Sequence, residues 1–171
     1  LWTVRLSAAC RANGIAYSVE QEETDRHPEI AAILSDSHSL SFLIIDDVEM
    51  NLKVLSAMLN KCQVQVTTAT SAAQALEILQ RESFDLILTD MWMPQMNGAE
   101  FAAEVKKMAG RERIPIIAVT ADIENHQNFS MREFAGVILK PLTLKKIISL
   151  VDAARKQQLQ HSSSSLEISG G

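Results

Sequence analysis

Four short apolar runs in this chain end on polar residues of complementary chemistry. Phe42-Leu43-Ile44-Ile45 closes on Asp46-Asp47, and Leu86-Ile87-Leu88-Thr89 closes on Asp90. Ile116-Ile117-Ala118-Val119 ends on Thr120, and Val137-Ile138-Leu139 ends on Lys140. If the runs are parallel strands of one sheet, these groups meet at its carboxyl edge, where open α/β sheets bind their ligands. Three carboxylates, a hydroxyl and an ammonium suit a divalent cation together with a phosphoryl group. Clustered carboxylates repel, and without a cation at least one of their pKa values rises. Mg²⁺ resolves the conflict, because it takes oxygen ligands in octahedral geometry and pairs one or two carboxylates with phosphate oxygens. Asp90, at the tip of the central run, is then the natural nucleophile, since a carboxylate can attack phosphorus and hold an acyl phosphate. Such a transfer needs mainly alignment and charge neutralisation. Mg²⁺ and Lys140 would supply the charge, and Thr120 a hydrogen bond to a phosphoryl oxygen. The loop at 91–98 would leave the backbone carbonyl of Trp92 free to ligate the metal.

An Asp-Asp pair after one strand is ordinarily a turn or helix-cap feature, and one Thr or Lys at a strand end means less still. The conjunction carries the argument, so the elements that would assemble it matter. A strand at 42–46 leads into an amphipathic helix at 49–60, with Leu52, Leu55, Met58 and Leu59 on one face. Residues 63–67 alternate as a half-exposed strand does. Ser71 is a plausible N-cap for a helix carrying Ala72, Ala75, Leu76 and Leu79. The run at 84–89 is apolar nearly throughout, as in a central parallel strand covered on both faces. Asn97-Gly98 precedes a helix with Phe101, Ala102, Val105 and Met108, and 114–119 reads as another buried strand, with Pro115 tolerable only near its start. A weaker helix is expected at 122–131, a strand at 137–139, and a last helix at 143–157 with Leu144, Ile147, Ile148 and Val151 inward. Five β–α units in succession predict an α/β fold with a doubly wound five-stranded parallel sheet. Right-handed crossovers in strand order 2-1-3-4-5 place the first and third strands side by side, and Asp46 and Asp47 beside Asp90.

Residues 1–38 differ from the rest: a short helix, a turn at Asn13-Gly14, a short strand and a polar acidic stretch form an α/β extension. It reads as the remnant of an upstream domain or as a linker. The main domain is expected at 39–157, with a flexible Ser/Gly-rich tail at 158–171. A net charge of −5 over 171 residues argues against a nucleic-acid surface. Cys10 and Cys62 match no metal or redox spacing and are expected to be unpaired thiols. His27, His38, His126 and His161 lie in polar stretches and read as solvated surface. No apolar run approaches the roughly 18 residues that span a bilayer, and no signal peptide opens the chain. A cytoplasmic setting without membrane contact by this segment is expected.

At these residues the chain resembles the receiver domains of two-component signalling. Asp46-Asp47, Asp90 followed by Met93-Pro94 and Gly98, Thr120-Ala121 and Lys140-Pro141 fall in that family's order, over about 41–155. The resemblance implies a flavodoxin-like receiver fold with Asp90 as phosphoacceptor. It implies Asp46 and Asp47 as Mg²⁺ ligands, and Thr120 and Lys140 in contact with the phosphoryl group. The spacing from Asp47 to Asn51 is similar to that of receivers attached to hybrid sensor histidine kinases. That implies loading by a kinase phosphohistidine, from the same chain or another, and transfer to a histidine phosphotransfer domain or a signal by conformational change. A receiver also catalyses its own phosphorylation and dephosphorylation. If the chain is a fragment of such a kinase, it belongs to the cytosolic part of a membrane-anchored protein. Two departures stand out. Val137 occupies the position where the family usually carries Tyr or Phe, and the stretch from Thr120 to Lys140 is short, which predicts a short or irregular fourth helix.

Other readings fit less well. A phosphatase of the haloacid dehalogenase type wants an Asp-x-Asp pair for its general acid, which Asp90-Met91-Trp92 lacks. A nucleotide binder wants a Gly-rich turn after the first strand. A degenerate receiver that only binds a partner is opposed by the intact acids, Thr120 and Lys140.

Overall fold

The computed structural model describes residues 39–121 and 132–166, with side chains to residue 158. The extension at 1–38 and the weak helix expected at 122–131 lie outside the described residues. The described chain runs β1 (Ser41–Ile45), α1 (Glu49–Lys61), β2 (Gln65–Ala69), α2 (Ala72–Arg81), β3 (Leu86–Asp90), α3 (Gly98–Lys107), β4 (Ile116–Thr120), β5 (Gly136–Leu139) and α4 (Leu144–Leu166). The strands form one parallel sheet in the order β2-β1-β3-β4-β5, as the pattern of β–α units predicts.

Every residue of β3 and of β4 is buried, which explains why their sequences read as continuous apolar runs rather than alternations. In β1 the pleat sorts the side chains. Leu43 and Ile45 join a cluster with Ala75, Leu79, Phe101 and Val105 from α2 and α3, while Phe42 and Ile44, also buried, point to the other face. There α1 packs against α4, with Leu52, Leu55, Ile147, Ile148 and Val151 buried.

Two helix starts follow directly from sequence. The Ser71 hydroxyl accepts the Gln74 N–H, and Asn97 and Glu100 close a reciprocal capping box; each such cap contributes about 1 kcal/mol. α1 differs, because its N-cap is Val48, which has no side chain able to cap.

Several boundaries depart from the pattern. β2 starts at Gln65 rather than 63, because Gln63 has a positive φ of 56 and closes the end of α1. There the N–H groups of Gln63 and Val64 donate to the Asn60 and Leu59 carbonyls. β3 and β4 reach one residue further than expected, so Asp90 and Thr120 are the last residues of their strands. α4 continues to Leu166, through residues read as flexible tail. Gln and Ser are adequate helix formers and no Gly or Pro interrupts them before Gly170, so an established helix propagates at little cost.

Candidate functional site

The β1–β3 register pairs Ile45 with Thr89, so Asp46 comes level with Asp90 across the strand boundary. Carboxylate oxygens of Asp46, Asp47 and Asp90 lie within 4.8 Å of one another. Asp46 and Asp90 are each 8% exposed, whereas Asp47 faces solvent. Lys140 follows β5, two strands and about 9.5 Å from β3 at the usual spacing, so only a long flexible side chain can bridge the gap. Its Nζ reaches 3.2 Å from Asp90 Oδ2 and 3.6 Å from Asp46 Oδ2. Thr120 ends β4 between them, fully buried, and its carbonyl accepts the Lys140 N–H at 2.7 Å. The structure thus brings together Asp46, Asp47, Asp90 and Lys140, with Thr120 on the intervening strand. Trp92 enters through its backbone: its N–H donates to Asp90 Oδ1 at 3.4 Å, and its side chain is 52% exposed.

Burial pushes the Asp90 carboxyl above its ordinary range. The Lys140 charge and hydrogen bond pull it back, repulsion from Asp46 adds to the rise, and the Trp92 N–H opposes it. Repulsion within the cluster is therefore present, but desolvation of the strand tip outweighs it.

The loop after β3 folds back tightly. The Gly98 N–H donates to the Met91 carbonyl at 3.0 Å, and Met91 is fully buried. A Cβ on Gly98 would stand 2.7 Å from the Asp90 carbonyl oxygen and 3.1 Å from Met91 Cα. Glycine is required there by space, and it lets α3 begin directly against the backbone that carries Asp90.

Sequence reasoning noticed Asn51 only as a matter of spacing. In the structure its Nδ2 donates to both oxygens of Asp46, at 3.1 and 3.0 Å, while the Val48 N–H donates to Oδ1 at 2.8 Å. The available signal was an amide five residues after the first acid, on the opening turn of α1. Asp46, Asn51, Asp90 and Lys140 border a cavity of about 230 Å³ whose remaining wall is mostly apolar, with Leu55 and Leu88 among its lining. Four of the five exposed large apolar side chains among the described residues are Val48, Met50, Val54 and Trp92, on the segments that follow the acids.

The acidic cluster fits a small hard cation. Oxygens no more than 4.8 Å apart close onto an ion with metal–oxygen distances of about 2.1 Å after only small side-chain movements. The donor set is wholly oxygen, as that ion prefers.

A parallel sheet in this order, with its acids and one ammonium gathered where β1 and β3 diverge, defines a receiver-type module on a flavodoxin-like fold. Residues 42–152 match the model of the response regulator receiver domain. The chain belongs to that family, and it is a receiver domain of two-component signalling. It is 29% identical over 115 residues to the aerobic respiration control sensor protein ArcB of Escherichia coli K12, covering 66% of this chain and 15% of that protein. It is 33% identical over 99 residues to the two-component response regulator ORR42 of rice (Oryza sativa subsp. japonica), covering 57% and 74% of the two chains. The chain therefore spans about 15% of the length of the sensor it matches. Among solved structures, the receiver domain of the sensor histidine kinase PA1611 of Pseudomonas aeruginosa PAO1 superposes with a TM-score of 0.63 at 24% identity. That match covers 68% of this chain and 97% of the other, which carries a magnesium ion in its active-site cleft. Among the described residues no helix is long and apolar enough to cross a membrane.

Proposed function

We propose that Asp90 is the phosphoacceptor of this receiver, loaded from a phosphohistidine of a sensor kinase. One Asp90 oxygen forms the new O–P bond while the P–N bond to the donor imidazole breaks, and the imidazole leaves carrying a proton. The observation that carries the reading is the contact of Lys140 Nζ with Asp90 Oδ2 at 3.2 Å, beside two further carboxylates. A lone ammonium there can follow the negative charge from the carboxylate onto the phosphoryl oxygens. Asp46, Asp47, Asp90 and the Trp92 carbonyl would hold Mg²⁺, which when bound neutralises phosphoryl charge. The magnesium ion in the PA1611 receiver supports this assignment. Thr120, at the end of the adjacent strand, would donate its hydroxyl to a phosphoryl oxygen.

The likeness to ArcB and to the PA1611 receiver favours an origin in a hybrid sensor kinase. Residues 1–38 would then belong to an upstream domain or linker, and the receiver to the cytosolic part of that kinase. A histidine phosphotransfer domain is the partner that fits, because such a domain must bring an imidazole to Asp90. The exposed Val48, Met50, Val54 and Trp92 offer it apolar contact beside the site.

The test is incubation with acetyl phosphate and Mg²⁺ followed by intact mass. A gain of one phosphoryl group, stable to acid, labile to base and absent from Asp90→Asn, is expected. No gain in the wild-type chain overturns the reading in favour of a module that only binds a partner.

A further inference from the structure

Asp46 carries more hydrogen bonds than its two acidic neighbours, and most come from α1 rather than from the sheet. The Val48 N–H fixes Oδ1, and the Asn51 amide spans both oxygens. Oδ2 is contested: Asn51 Nδ2 sits 3.0 Å away, and the Lys140 ammonium 3.6 Å away on the side of Asp90. Without the amide, the nearest remaining donor to Oδ2 is that ammonium, and the carboxylate is free to turn towards it. Asn51 also holds the acid without neutralising it. A Lys or Arg in its place would cancel the charge a cation needs, whereas an amide orients the oxygens and leaves them fully negative. Outer hydrogen bonds of this kind fix the direction of metal-binding oxygens.

We infer that Asn51 is a positioning residue for the metal site: its amide holds the Asp46 carboxylate on the α1 side, away from Lys140, and so sets the affinity for Mg²⁺. The inference rests on the reading of the acidic cluster as a Mg²⁺ site. At the start of α1, where Val48 makes no side-chain cap, the Asp46 carboxylate accepts the Val48 N–H and so ties the acid to the same turn as Asn51.

The experiment is calorimetric titration of the whole chain with Mg²⁺ alone, in wild type, Asn51→Leu, Asn51→Ser, Asp46→Asn and the Asp46→Asn/Asn51→Leu double variant. Losing an outer hydrogen bond to a metal ligand typically costs about 10–100-fold in affinity, and the exposure of Asn51 places the expectation near the lower end. Asn51→Leu and Asn51→Ser should each bind about tenfold more weakly. In the Asp46→Asn background the Leu substitution should change affinity by less than about twofold, because the pair it uncouples is already broken. Acetyl phosphate labelling of Asn51→Leu should need correspondingly more Mg²⁺ and recover as Mg²⁺ saturates. Unchanged affinity in Asn51→Leu, an undiminished effect in the Asp46→Asn background, or a labelling defect that saturating Mg²⁺ does not relieve overturns the inference and leaves the site reading standing. No saturable Mg²⁺ binding by the wild-type chain overturns both.

Discussion

Gly98→Ala is a change of one methyl group about as close to Asp90 as the backbone allows. The new Cβ would lie 2.7 Å from the Asp90 carbonyl oxygen, about 0.7 Å inside ordinary contact, and 3.1 Å from Met91 Cα. Both obstacles are backbone, and Met91 is fully buried, so neither can swing aside as a flexible side chain would. Forcing an extra methyl into such a place costs roughly 1–3 kcal/mol. Alanine recovers part of this through helix propensity, at most about 1 kcal/mol and less at a first helical position. A net loss of about 1–2 kcal/mol is expected, which for a domain of this size lowers Tm by about 4–8 °C. Relief of the clash must push the start of α3 away from β3, so the carboxylate of Asp90 moves with its backbone. Acetyl phosphate labelling should slow as well. Gly110→Ala is the control: its φ of 77 strains any side chain, but nothing lies within 4 Å of the new Cβ. It should cost about 1 kcal/mol through backbone strain alone and leave labelling of Asp90 unchanged. Melting by circular dichroism and labelling by intact mass measure both effects. A Gly98→Ala protein with unchanged Tm and labelling refutes the close packing of α3 on the Asp90 strand.

Burial raises the Asp90 pKa, so the folded state holds that proton more tightly than the unfolded chain. The stability this confers is complete below the unfolded pKa and is lost as pH rises through the folded one. Asp90→Asn, neutral throughout, should therefore raise Tm at pH 7 with metal chelated, and the gain should shrink on acidification; a lower Tm at pH 7 contradicts the dominance of desolvation. Lys140→Met removes a cation 3.2 Å from Asp90 and 3.6 Å from Asp46, both largely buried; at no less than the roughly 1 kcal/mol of such a contact in bulk water, Mg²⁺ should bind at least about fivefold more tightly by calorimetry while labelling by acetyl phosphate falls. Weaker Mg²⁺ binding in that variant contradicts competition between the ammonium and the metal. Trp92→Ala removes a half-exposed ring two residues after Asp90, so Tm should hold while the phosphoryl half-life shortens a few-fold as water gains access; an unchanged half-life removes any shielding role.

The site was legible in the sequence because its parts sit where strands end, and strand ends are marked by the switch from apolar to polar residues. Asp90, Thr120 and Lys140 needed no more than that rule and the strand order. What pattern reading misplaced depends on backbone rather than on side-chain type. Gln63 and Val64 open a run that alternates like a strand, yet a positive φ at Gln63 makes them the closing turn of α1. The Ser-rich run before Leu166 has the composition of a linker, but it follows an established helix and continues it. Asn51 was visible as a spacing and not as a function, because two hydrogen bonds to one carboxylate are a matter of rotamer and distance. Gly98 reads as a turn residue, although its reason is the 2.7 Å approach to Asp90. The Val137 departure is placed but not decoded: the side chain lies on β5 opposite Ala118 and is exposed.

Of the three carboxylates within 4.8 Å, Asp47 faces solvent, and the two buried ones are held by two different kinds of partner. From α1 come neutral donors, the Val48 N–H and the Asn51 amide, which orient Asp46 and leave its charge intact. From the end of β5 comes one cation on a four-carbon stem, which partly neutralises Asp46 and Asp90 together. The first set is anchored in a helix packed on the sheet, whereas the second can leave by rotating side-chain bonds, with no change in strand pairing. A divalent ion or a phosphoryl group arriving at Asp90 therefore meets, among the described residues, the Lys140 side chain in contact with both buried acids. Asp46 stays aimed, because the hydrogen bonds that aim it do not pass through Lys140.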